Sequence, residues 1–97
     1  MIDFLKECGL SDIDIQEIED FNSSANLYNL NCNEFDVIKM IECLKEKGIK
    51  NIVLLLKYRI NIFFVDFDDF KLKVDNIDDK YIDLINNNYN EIDELFN

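Results

Sequence analysis

Proline, histidine and tryptophan are absent from this 97-residue chain, glycine occurs only at Gly9 and Gly48, and alanine and arginine occur once each, at Ala25 and Arg59. Without histidine a zinc site loses its usual nitrogen ligands. The three cysteines, Cys8, Cys32 and Cys43, are an odd number with no C-x-x-C pair, so zinc finger and disulfide scaffold are both poor readings. No adjacent histidine exists to lower a thiol pKa, and the cysteines read as small buried hydrophobes. Ser23 and Ser24 have no neighbouring base, and no glycine-rich segment exists to cradle a phosphate. No apolar run reaches the roughly 18 residues of a membrane span, and Asp3, Lys6 and Glu7 interrupt the region where a signal peptide would be apolar. These absences predict a reduced, cytoplasmic protein with no cofactor, no metal, no membrane contact and no enzymatic activity.

What is present is one domain's worth of apolar residues carrying an excess of acid. Hydrophobic residues make up 48% of the chain and charged ones 32%, with 21 acidic against 10 basic side chains and a net charge of -11. That apolar content offsets the entropy of ordering the backbone, so residues 1–97 are expected to fold as a single acidic domain. At this size the net stability is about 5 to 10 kcal/mol, to which partner binding or homodimer formation would add. Isoleucine occurs 14 times and asparagine 13 times, a bias that AT-rich codons produce by themselves, so the asparagines need no functional explanation.

Caps and apolar periodicity set the expected elements. The clearest helix is 33–47, where Val37, Met40, Ile41 and Leu44 recur at helical spacing, Phe35 and Ile38 widen the face, and Gly48 follows the last turn. Ile2 and Leu5 fit a short first helix closed by Gly9. Ser11 and Asp14 form a capping-box pattern opening a second helix to Phe21, with Ile15, Ile18 and Phe21 inward. Residues 22–32 read as a polar loop anchored by one turn at Leu27, Tyr28 and Leu30. A further helix follows Gly48 through Ile52 and Leu56, and a last apolar stripe runs Tyr81, Ile85, Tyr89, Ile92 and Phe96, weakened at Asn86, Asn87 and Asn88. Residues 60–74 alternate as a β-hairpin would, with a turn at 66–69; the competing reading places Asp66 or Asp68 as the N-cap of a helix burying Phe70, Val74 and Ile77.

An internal repeat favours the helical reading. Leu5-Lys6-Glu7-Cys8-Gly9-Leu10 matches Leu44-Lys45-Glu46-Lys47-Gly48-Ile49 at an offset of 39 residues. A second match pairs Glu34-Phe35 with Asp69-Phe70, and a unit of about 35 to 40 residues suits helical repeats. Over residues 4–77 this unit resembles the repeat of mitochondrial transcription termination factor (mTERF)-like proteins. The resemblance implies paired helices with a short third turn and, in that family, nucleic-acid binding through basic surfaces. The present chain departs from the family in its net charge and its lack of the proline between helices. The fold class expected is mainly α, two related helix-turn-helix units with a C-terminal helix closing the core; the alternative is α+β with a hairpin at 60–74.

One motif invites chemistry. Ile62-Phe63-Phe64-Val65-Asp66-Phe67-Asp68 is an apolar run followed by Asp-x-Asp, and it resembles the nucleophile loop of haloacid dehalogenase-type phosphotransferases. Those enzymes need a parallel sheet and further Lys and Asp elements downstream, whereas 29 residues follow Asp68. Asp66, Asp68 and Asp69 also fail as an EF-hand, since Lys71 stands where glycine and Ile77 where the bidentate glutamate would be needed.

Charge distribution remains. Residues 1–38 carry a net -8, residues 39–64 a net +4 and residues 65–97 a net -7. Asp12, Asp14, Glu17, Glu19 and Asp20 lie on one short helix at spacings that put β-carbons about 5 to 6 Å apart, not far from the separation of nucleic-acid phosphates. Asp66, Asp68, Asp69, Asp78 and Asp79 form a second acidic group. Such surfaces repel nucleic acid and attract basic protein. The expectation is a protein-binding module whose ten named carboxylates engage a basic surface, in the manner of small acidic phage inhibitors (anti-CRISPR-like) that occupy a nuclease's nucleic-acid channel. The rivals are an mTERF-like nucleic-acid binder using Lys39, Lys45, Lys47, Lys50, Lys57 and Arg59, a small hydrolase built on Asp66 and Asp68, and a small structural or regulatory interaction protein.

Overall fold

The computed structural model describes residues 1–96, and among these the chain is helical throughout with no strand. A 3-10 turn at Asp3–Cys8 leads into α1 (Asp12–Phe21), α2 (Ser24–Cys32), α3 (Glu34–Lys47) and α4 (Ile52–Tyr58). A second 3-10 turn at Ile60–Phe64 precedes α5 (Phe67–Asp75) and α6 (Asp79–Asn87); a third at Tyr89–Ile92 runs into α7 (Asp93–Phe96).

The caps explain where the helices begin. Ser11 Oγ accepts from the Asp14 N–H while Asp14 Oδ2 accepts from the Ser11 N–H, both at 3.1 Å, which is the reciprocal capping box. Ser23 caps α2 by accepting from the Asn26 N–H at 3.1 Å. Asp66 caps α5 through the N–H groups of Asp68 and Asp69, and Asp78 caps α6 through that of Tyr81 at 2.8 Å. Aspartate at these positions also suits the positive end of the helix dipole.

The two glycines end their helices alike, 39 residues apart. Gly9 has φ 89° and Gly48 φ 98°, left-handed values in which a β-carbon would be strained. In each case the glycine N–H bonds back to a lysine carbonyl, Lys6 or Lys45, and the next N–H, of Leu10 or Ile49, reaches Leu5 or Leu44. The apolar residues flanking both turns are buried, Leu5 with Leu10 and Leu44 with Ile49. The repeated sequence thus builds a repeated turn.

The core gathers around α3, whose Val37, Met40, Ile41 and Leu44 are all buried. α3 and α5 run parallel, with Lys39 over the Phe67 ring (4.3 Å) where α5 begins and Lys47 donating to the Asp75 carbonyl (2.9 Å) where it ends. α1 lies against α4: Asn22 donates to the carbonyls of Ile18 (2.8 Å) and Leu56 (3.1 Å), locking the end of one to the other. α6 is stapled to the turn after α3. Asn86 Oδ1 accepts from the Lys50 N–H (2.8 Å), its Nδ2 donates to the Gly48 carbonyl (2.9 Å), and Asn51 donates to the Ile85 carbonyl (2.8 Å). Several asparagines therefore hold the fold together, whatever biased the codons.

Several expectations are corrected. Residues 60–74 form no hairpin: consecutive Ile62 and Phe63 are both buried, which a two-residue period forbids, and the chain turns as a 3-10 segment and then α5. The helical alternative holds, with Asp66 as cap and Phe70, Val74 and Ile77 buried. Residues 22–32 are largely helix, because Ser23 caps α2 and Leu27 and Leu30 anchor it to the core. The C-terminal stripe breaks at Asn88, whose side chain accepts from the Asn90 N–H and starts a new turn. Phe21 and Phe35 face outward, at 55% and 78% exposure, and Cys32 is exposed. Cys8 alone among the cysteines is buried, Cys43 being half-buried.

Candidate functional site

The ten carboxylates singled out from the sequence are not brought into one patch. They fall into three places, and their local roles differ. On α1, Asp12 pairs with Lys6 at 3.0 Å, Asp14 belongs to the capping box, and Glu17 Oε2 lies 3.4 Å from Lys57 Nζ. Glu19 and Asp20 occupy the last turn of α1, which carries no basic residue. Asp20 accepts from the Gln16 amide at 3.0 Å. A carboxylate in a last turn faces the negative end of the helix dipole, so both charges are held against a local electrostatic cost.

Asp66, Asp68 and Asp69 begin α5. Because α5 runs parallel to α3, they share one end of the molecule with Glu34 and Asp36 of the first turn of α3, and Lys39, 3.4 Å from Asp36, sits among them. Asp78 and Asp79 begin α6, past the far end of α5. Asp66 and Asp78 are caps, while Asp68, Asp69 and Asp79 are exposed. Exposed apolar side chains interrupt two of these surfaces, Ile13 on α1 at 73% and Leu72 on α5 at 64%.

The basic middle segment is largely spent inside the fold. Lys45 donates to the Cys8 carbonyl and Lys47 to that of Asp75; Lys39 pairs with Asp36, Lys57 with Glu17, and Arg59 with Asp93 at 2.8 Å. Five of the 21 acidic side chains are in ion pairs among the described residues, leaving most of the negative charge uncompensated.

A feature that sequence reasoning missed lies between the end of α1, the end of α4 and the C-terminal segment. The Tyr58 and Tyr89 rings stack at 5.2 Å and 21°, and Phe21 meets Tyr58 edge-on at 5.2 Å. Lys57 Nζ lies over the Phe21 ring (4.5 Å) and Arg59 over that of Tyr89 (5.3 Å). Arg59 is fixed by Asp93, the Tyr58 carbonyl and Asn90 Oδ1. Positions 21, 58 and 89 share no period and no motif. The adjoining cleft has a volume of about 460 Å³.

The titratable groups outside these surfaces follow burial and pairing. Burial lifts the Cys8 thiol above its ordinary range, partly offset by Lys45, and does the same to Cys43 and to the Tyr81 phenol. Hydrogen bonding to Asp12 and to Asp75 raises Lys6 and Lys71. Among the described residues no group of three or more His, Cys, Asp or Glu side chains could hold a metal ion, and no helix is long and apolar enough to cross a membrane. Comparison with protein-family models, with curated proteins and with solved structures finds no match to this chain.

Proposed function

We propose that this protein is a non-enzymatic binding module whose acidic surface engages a basic protein surface and so denies that surface to nucleic acid. The observation that carries the reading is the last turn of α1, where half-buried Glu19 and exposed Asp20 add negative charge at a helix end that disfavours it. A charge kept at a local cost to stability is the kind of inconsistency that accompanies function. The exposed Ile13, about two turns before Asp20 on α1, would give short-range contact that charge alone lacks. Long-range attraction between the net -11 chain and a cationic partner would speed encounter and weaken with salt. The nucleic-acid-binding rival is less well supported, since three of its six cations are in ion pairs, two more donate to backbone carbonyls, and the chain as a whole carries a net charge of -11.

The test neutralises charges that no cap or ion pair uses. Glu19→Gln, Asp20→Asn, Asp68→Asn, Asp69→Asn and Asp79→Asn are combined, and the partner is isolated from the native cell with the wild-type chain. The reading expects a basic nucleic-acid-binding protein, released by its own nucleic acid and by salt, and lost by the neutralised variant. Capture unaffected by neutralisation refutes it. A low-salt gel shift of nucleic acid by the wild-type chain alone would favour the rival.

A further inference from the structure

We propose that the cleft beside the tyrosine stack is a binding site for a small planar anion, an aromatic or heteroaromatic ring bearing one carboxylate or phosphate. The inference does not rest on the function proposed above. At about 460 Å³ the cleft falls within the roughly 300 to 1,000 Å³ of small-molecule sites. Its walls carry two cations, Lys57 and Arg59, each paired with one carboxylate, Glu17 and Asp93, in a chain whose net charge is -11.

The two cations are not equivalent. Arg59 has its guanidinium held by Asp93, Asn90 and the Tyr58 carbonyl, so it stiffens the wall and neutralises the one carboxylate there. Lys57 has three donors and directs one at Glu17 Oε2 across 3.4 Å, the long limit of a hydrogen bond. Its side chain is only 12% exposed, so its charge is less screened by solvent than that of a surface lysine. Phe21, 55% exposed, lines the same wall and offers ring surface for stacking, whereas Tyr58 lies against Tyr89 and Lys57, and Phe96 against Phe70 and Lys73. The Asn22 amide is clamped through its Nδ2 by two carbonyls, which fixes its orientation, and Asn26 and Asn61 also line the cleft. One cation with donors beyond its single long ion pair, an exposed aromatic ring and one fixed amide together describe a ring with an acidic substituent.

Two-dimensional amide NMR of the full chain tests this, with adenosine 5′-monophosphate and indole-3-acetate as probes, adenosine and inorganic phosphate as the uncharged and ringless counterparts of the first, and 3-methylindole and acetate as those of the second. The site predicts saturable shifts at residues 57–62 from at least one ring-bearing anion, with a dissociation constant below about 1 mM and both of its counterparts at least about tenfold weaker. Which probe binds separates a phosphate from a carboxylate. Lys57→Met weakens binding about tenfold or more, whereas Glu17→Gln, which releases the ammonium, tightens it. A merely structural role for the pair would move both variants the same way, and that result overturns the site. So does the absence of saturable shifts with either probe up to about 10 mM, or phosphate or acetate binding as well as its ring-bearing anion.

Discussion

Replacing Asp66 with alanine removes the oxygen that accepts from the Asp68 and Asp69 N–H groups, and replacing Asp78 with alanine removes the acceptor for Tyr81. Each change costs about 1 kcal/mol, the usual value of a lost N-cap. The two caps stand at opposite ends of the nine-residue α5. At about 1.5 Å per residue the sites are more than about 10 Å apart, so the double variant should lose about 2 kcal/mol additively. For a domain of this length that lowers the thermal midpoint by about 8 to 16 °C. Asparagine at the same positions keeps the capping oxygen and discards only the charge, at a cost of about 0.3 to 1 kcal/mol in dipole interaction. Urea and thermal unfolding followed by circular dichroism would rank wild type, asparagine variants and alanine variants in that order. Asparagine as damaging as alanine, or alanine without effect, would refute the capping assignment. The ranking matters for function, because both aspartates belong to the acidic set and only a charge-free cap separates their electrostatic role from their structural one.

Glu19→Gln and Asp20→Asn should each stabilise the protein by about 0.3 to 1 kcal/mol at low ionic strength, with the gain shrinking as salt is added; chemical denaturation at two salt concentrations measures it. Gly48→Ala should cost about 1 to 2 kcal/mol from the left-handed backbone alone, because the new β-carbon meets only Ile82 Cγ2 at 3.7 Å, an ordinary contact. Gly48→Asn should cost less, and urea midpoints compare the two. A thiol reagent should label exposed Cys32 at once, half-buried Cys43 more slowly and buried Cys8 only on unfolding, as mass spectrometry would show. Because burial raises Cys8 in the fold, its contribution to stability is intact below the unfolded thiol's pKa of about 8.5 and is lost as pH rises through the higher folded value. Alkaline unfolding should therefore be shallower in Cys8→Ala.

What the sequence disclosed was local. Ser11 with Asp14, and the two glycines with their flanking apolar pairs, are patterns in which a few neighbouring residues dictate the backbone. The register of α3 was legible for the same reason, its four buried residues recurring on one face. α2 was not legible, since only Leu27 and Leu30 mark its buried side and the intervening asparagines resemble a loop. Ile60, Ile62 and Phe64 imitated a strand because every second residue of a short 3-10 turn can be apolar without an alternating face. Phe21 and Phe35 were misplaced because hydrophobicity is a one-way guide to burial. Of the ten acidic residues, the sequence supplied the charge but not its division among caps, pairs and free groups. That division depends on contacts such as Glu17 with Lys57, 40 positions apart. The tyrosine stack assembles residues from separate helices and left no periodic trace.

The Tyr58–Tyr89 stack also gives the molecule an intrinsic optical label. With no tryptophan and four tyrosines, near-ultraviolet absorption and emission come mainly from phenol rings, and two of these are parallel and close enough for their transitions to couple. Tyr58 ends α4, whereas Tyr89 opens the segment that returns through Asp93 and Glu91, where the Tyr81 hydroxyl donates to a carbonyl. An exciton signal in near-ultraviolet dichroism therefore reports the docking of the chain's last turns separately from helix content, so their detachment can be timed without any added dye.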